Sequence, residues 1–100
     1  MQTLPGDFNL NDATCILKFS AEWCGPCKAV TPLLERISTE LEVEVYDIDV
    51  DENTELSAKF NIRSIPAVIG MKNGKPVDAL VGTYPYDKYK DLAERLIAAD

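Results

Sequence analysis

The chain has 100 residues, of which 46% are hydrophobic and 27% charged, enough for one hydrophobic core without staples and ordinary for a water-soluble globular protein. A net charge of −7 disfavours nucleic acid and anionic membrane as partners, and no apolar run reaches the roughly 20 residues of a membrane span. Three cysteines, an odd number, argue against a secreted disulfide framework.

The opening segment, Met1-Gln2-Thr3-Leu4-Pro5-Gly6-Asp7, lacks the charged-then-apolar pattern of a signal peptide. A cytoplasmic setting is therefore expected, and its reducing conditions suit all three thiols. Gln2 to Leu4 is read as a short edge strand, and Pro5-Gly6 as a turn toward a short helical piece around Phe8 to Asn11. Thr14 to Ser20 reads as a buried strand, beginning with Cys15 as a small buried hydrophobe. From Cys24 to Leu41 the residues Val30, Leu33, Leu34, Ile37 and Leu41 recur with helical period. Pro32 falls inside that helix, removes one hydrogen bond and is expected to kink it.

Val43 to Val50 reads as a second buried strand, with Val43 and Val45 facing one way and Tyr46, Ile48 and Val50 the other. Strand, helix and strand make a βαβ unit, expected to be parallel and right-handed. Asn53 is expected to cap a short helix through Phe60. Ala67 to Met71 and Val77 to Val81 flank Asn73-Gly74, which signals an antiparallel hairpin. A last helix from Tyr86 to Ala98 is expected to bury Tyr89, Leu92, Ala93, Leu96 and Ile97, with Lys88, Lys90, Glu94 and Arg95 on its wet face. The expected fold is α/β: one mixed sheet with helices on both faces, in a single domain spanning residues 1–100.

Chemistry concentrates at Trp23-Cys24-Gly25-Pro26-Cys27-Lys28. The two thiols fall three residues apart where a helix starts, hence on one face. Unpaired amides and the positive dipole end favour a thiolate there, and the thiolate is the species that attacks disulfides. Cys24, nearer the helix end, is assigned as nucleophile. Cys27, one turn further in, is assigned to resolve the mixed disulfide and leave a redox-active Cys24–Cys27 pair. Gly25 is expected to permit close backbone approach, and Pro26 sets φ at the helix start. A zinc half-site has the same spacing but lacks further ligands, because the chain has no histidine and one other cysteine. A purely structural disulfide would close too short a loop to constrain much chain entropy. Asp47, Asp49 and Asp51 alternate as in a calcium loop, but Glu52 stands at the required glycine and Ala58 at the final acidic position.

This six-residue motif resembles the active site of the thioredoxin family. Supporting matches are Phe19-Ser20-Ala21-Glu22, Pro32, Asp47-Ile48-Asp49, Phe60-Asn61-Ile62-Arg63-Ser64-Ile65-Pro66, Lys72-Asn73-Gly74 and Val81-Gly82. The resemblance implies a three-layer sandwich with four or five strands and about four helices. It further implies a cis Pro66 facing the sulfurs, and a shallow substrate surface made by Trp23, Gly25, Pro26, Ile65, Pro66 and Gly82. The implied activity is reduction of protein disulfides by a monomeric electron carrier. A flavin- and NADPH-dependent thioredoxin reductase would regenerate it. The chain itself is expected to bind no cofactor, since it has no glycine-rich dinucleotide fingerprint, and no metal. Two other readings share the motif: a disulfide oxidase or isomerase, and a non-catalytic binding subunit that uses the apolar surface around Trp23.

One departure from the family stands out. A buried aspartate usually lies six residues before the first motif cysteine, and Lys18 occupies that place. The family's lysine on the neighbouring strand is replaced by Val45. Three states of Lys18 are open from sequence: a neutral buried base, a buried cation that stabilises a thiolate, or a stem that snorkels to water. Ser20, where many relatives have tryptophan, is a second departure.

Overall fold

The computed structural model describes residues 1–3 and 10–98. In chain order the elements are β1 (Gln2–Thr3), a 3-10 turn (Leu10–Asp12), β2 (Cys15–Ser20), α1 (Gly25–Leu41), β3 (Val45–Asp49), α2 (Thr54–Lys59), β4 (Ala67–Lys72), β5 (Lys75–Val81) and α3 (Tyr86–Ile97). The sheet order is β1-β3-β2-β4-β5. β3 runs parallel to both β1 and β2, while β4 is antiparallel to β2 and to β5. This is the expected mixed sheet with helices on both faces. Among the described residues it carries three α-helices and one 3-10 turn rather than about four helices. Leu4 of the expected edge strand, and Phe8 and Asn9 of the expected short helix, lie outside the described residues.

β2 is the centre of the fold. All six of its residues are buried, as an unbroken apolar run in a strand covered on both faces requires. Alternate residues serve opposite layers. Ile16 packs with Val30, Leu34 and Ile37 of α1, with Val45 of β3, and with Tyr89, Leu92, Ala93 and Leu96 of α3. Cys15, Leu17 and Phe19 face the other way, toward Ile48, Ile69 and Met71, with Leu56 and Phe60 from the α2 side. The split expected along the second strand holds: Val43 and Val45 join the first cluster, and Ile48, Tyr46 and Val50 the second.

Local chemistry sets the element ends. α1 runs unbroken through Pro32, whose missing amide removes the bond to the Lys28 carbonyl. Asn73 and Gly74 both have positive φ, the geometry of the tight two-residue hairpin that their identity signals. Three details differ from the sequence reading. Asn53 stands at the N-cap of α2 without capping it through its side chain, because its amide instead donates to the Asp49 carbonyl at 3.0 Å. Ile97 is 53% exposed, whereas Leu96 beside it is buried at 2%. Arg95 is not merely solvated, because it pairs with Asp78 on β5.

α1 and α3 are also joined at the surface. The Arg36 guanidinium lies 3.9 Å over the Tyr86 ring, and the Tyr86 hydroxyl donates to Glu40 at 2.7 Å. That bond holds the Glu40 carboxyl below its ordinary range and pushes the phenol up. Leu34, with no exposed surface at the centre of the first cluster, is the contact most sensitive to truncation. Leu34→Ala is expected to lower unfolding free energy by about 2–5 kcal/mol, measured by denaturant titration of the oxidised protein.

Candidate active site

The end of β2 delivers the chain through Ala21-Glu22-Trp23 to the first turn of α1. Cys24 is the N-cap residue, with an extended backbone, and Pro26 sits in the first turn. The cap is made by sulfur: the Cys27 amide donates to Cys24 Sγ at 3.2 Å. One of the orphan donors of the helix start is thus spent on the outer sulfur. Cys24 and Cys27 form a disulfide with their Cα atoms 5.4 Å apart. In this oxidised state both are buried, Cys24 at 5% exposure and Cys27 at 1%.

The two sulfurs pack with Ala21 in a small cluster of their own, closed by Val50 and Ile65. The Ile65–Pro66 peptide is cis, as the resemblance implies. Gly82, after β5, donates its amide to the Pro66 carbonyl at 2.8 Å. It does so with φ at 99°, in the region that favours glycine. Trp23 is 71% exposed, so it is not a core residue. Its indole donates to Asp51 Oδ2 at 2.9 Å, which fixes one edge and leaves the ring face open. Trp23, Val50, Ile62, Arg63, Ser64 and Ile65 line a cleft of about 150 Å³. Gly25 and Pro26 are exposed. A Cβ on Gly25 would meet nothing within 4 Å. The close approach expected there is therefore not to the chain itself, and the open space faces outward.

Lys18 resolves differently from the other candidates. It is 2% exposed, so its stem does not snorkel to water. Its ammonium donates to Thr31 Oγ1 at 2.7 Å and stands 3.7 Å from Asp47 Oδ1. Ser20 Oγ donates to the same Asp47 oxygen at 2.8 Å. Thr31 and Asp47 were not singled out in the sequence as partners of Lys18. Thr31 falls four residues after Cys27, a spacing that places it one turn along the same helix face. Asp47 is opposite Lys18 in the β2–β3 register, which no local pattern reveals. The sequence offers Asp51 only as part of a calcium-like alternation, and among the described residues no group of three or more acidic, histidine or cysteine side chains is arranged to hold a metal.

Cys15 lies apart from this constellation, in the core on the α2 side. Burial, with the nearby Glu44 charge, pushes its thiol up from 9.0 to about 11. It is held as a neutral thiol, which is unreactive.

A protein-family model described as Thioredoxin matches residues 7–95. The thioredoxin of Staphylococcus saprophyticus is 37% identical over 91 residues, covering 89% of this chain and 88% of that protein. That of Staphylococcus haemolyticus is 36% identical over the same span. Among solved structures, a mutant thioredoxin from Halobacterium salinarum superimposes with a TM-score of 0.88 at 29% identity, covering 99% of this chain and 92% of that one. Reduced thioredoxin from Schistosoma mansoni gives 0.79 at 33% identity, covering 87% and 82%.

The Cys15 environment generates a pH prediction. The unfolded thiol ionises near 9 and the folded one near 11. Between those values the unfolded state holds fewer protons, so stability falls as pH rises. Tyr46 and Tyr89, also pushed up by burial, act in the same direction. Denaturant midpoints of the oxidised protein are expected to drop across this window, and Cys15→Val is expected to reduce the drop.

Proposed function

From the premise that the chain belongs to the thioredoxin family, whose members are thiol–disulfide oxidoreductases, we propose how its residues divide the work of reducing protein disulfides. Cys24 is the nucleophile and Cys27 the resolving thiol. In the reduced protein the Cys24 thiolate attacks one sulfur of a client disulfide. A Cys24–client bond forms, and the other client sulfur leaves as a thiolate. Cys27, deprotonated, then attacks Cys24 Sγ and releases the second client sulfur. Two electrons pass to the client, and the Cys24–Cys27 disulfide remains. The observation that carries this assignment is the sulfur cap: Cys24 Sγ accepts the Cys27 amide at the start of α1. The same amide and dipole are available to a Cys24 thiolate. Cys27 is one turn deeper, close enough to bond to Cys24 and less open to a partner.

Clients dock on the surface formed by Trp23, Gly25, Pro26, Ile65, Pro66 and Gly82. The support is their convergence: the Gly82 amide is bound to Pro66, Ile65 packs on the cysteine cluster, and Trp23 shares a cleft with Ile65. An open, weakly concave surface suits a carrier that must release its product. The expected partners are disulfide-bearing proteins, with a thioredoxin reductase as electron donor. We assign the chain to one domain, working as a monomer in the cytoplasm without a cofactor of its own. No helix among the described residues is long and apolar enough to cross a membrane.

Reduction of insulin disulfides tests the division of labour. Cys24→Ser is expected to lower turnover by a factor on the order of a thousand or more and to trap nothing. Cys27→Ser is expected to stop turnover yet accumulate a mixed disulfide through Cys24. Turnover that survives Cys24→Ser, or capture through Cys27 instead, overturns the assignment.

A further inference from the structure

A short polar chain runs from Lys18 through Thr31 to the Cys27 carbonyl, and the exchange steps above make no use of it. Lys18 is the buried charged residue among those described. Its ammonium is held by Thr31 Oγ1 at 2.7 Å, and Thr31 in turn donates to the Cys27 carbonyl at 3.5 Å, one turn back along α1. Lys18, Thr31 and Cys27 are walls of one cavity of about 350 Å³. The charged groups that also line it are Glu22 from the segment before α1, Lys28 from α1, Asp47 and Asp49 from β3, and Glu52 from the loop after β3.

These charges do not act equally. Asp47, the anion nearest Lys18, has a side chain 42% exposed, whereas that of Lys18 is 3% exposed. Water screens the carboxylate far more than the ammonium. A buried cation is costly unless partnered, and Thr31 and Asp47 supply the partners that keep it in place. Of the charged groups that line the cavity Lys18 is the one that is buried, so its charge is the least screened by water, and Cys27 is the thiol that borders it.

We infer that Lys18 is a positioning residue for the resolving step: its ammonium, held by Thr31 and Asp47, stabilises Cys27 as the thiolate that attacks Cys24. This rests on the dithiol exchange proposed above. In the step, the Cys27 thiol gives its proton to solvent in the cavity. The Cys27 thiolate then forms the bond to Cys24 Sγ as the Cys24–client bond breaks, and the departing client thiolate takes a proton from solvent. Lys18 keeps its own proton throughout, so it is neither acid nor base.

Stopped-flow reaction of the fully reduced protein with Ellman's reagent separates the two steps. Capture by Cys24 releases one thionitrobenzoate, and resolution by Cys27 releases the second. Lys18→Met is expected to move the pH midpoint of the second phase up by about one unit. At neutral pH that phase slows about threefold, because a tenfold loss of thiolate is partly offset by greater nucleophilicity. Asp47→Asn keeps an oxygen that can accept from the ammonium but removes the opposing charge, and it is expected to move the midpoint down. Being half-exposed, Asp47 also keeps the test open should Lys18→Met fail to fold. A merely structural role would shift both variants the same way or neither. Either of those results, with capture by Cys24 intact, overturns the role of Lys18 and leaves the exchange mechanism standing. Absence of the capture phase in the unmodified protein overturns the exchange reading and this inference with it.

Discussion

The first turn of α1 begins where β2 ends, and the packing of these two elements decides where both sulfurs lie. β2 is buried along its whole length, so it has no freedom to slide: a one-residue slip would send Ile16 to the wrong layer and expose the hydrophobic set. α1 is held against it by Val30, Leu34 and Ile37. Between these anchors only Ala21, Glu22, Trp23 and Cys24 connect strand to helix. The short connection leaves Cys24 at the N-cap and Cys27 one turn in. A hydrophobic constraint distributed over two layers is thereby converted into a fixed relation between two atoms. The helix start then contributes what packing cannot, an amide donor aimed at the outer sulfur.

The chain holds its third thiol and its buried lysine in opposite ways. Cys15 is surrounded by apolar groups in the second cluster, which disfavours its anion and keeps it unreactive. Lys18, three residues further along the same strand, points to the other layer and finds a hydroxyl and a carboxylate. Burial without partners silences a titratable group, while burial with partners preserves a charge in a place where solvent screens it little. Alternation along one strand therefore puts an inert thiol on the α2 side and a polar cavity on the α1 side, next to Cys27.

The local patterns were readable because their causes are local. The Asn73-Gly74 turn follows from backbone preferences of two residues, the helix start from Pro26 and the apolar period, and the βαβ unit from alternating elements. What sequence left open depended on register and on element ends. That Lys18 does not snorkel to water depends on the parallel pairing that places Asp47 opposite it and on α1, which brings Thr31 to its side-chain nitrogen. Asn53 has the composition of a cap yet bonds to the Asp49 carbonyl, a competition that propensity does not resolve. Ile97 fits the apolar period of α3 yet is half exposed beside a buried Leu96. Which way Trp23 turns depends on a partner, Asp51, that lies far away in sequence.

The account stands on Cys24 being the ionised, accessible thiol of the reduced protein. Limited alkylation with iodoacetamide at neutral pH, followed by peptide mapping, measures this directly. The label is predicted to fall on Cys24, with loss of disulfide reduction in proportion to labelling. Label on Cys27 or Cys15 ahead of Cys24, or electron transfer that persists when Cys24 is fully blocked, would contradict it.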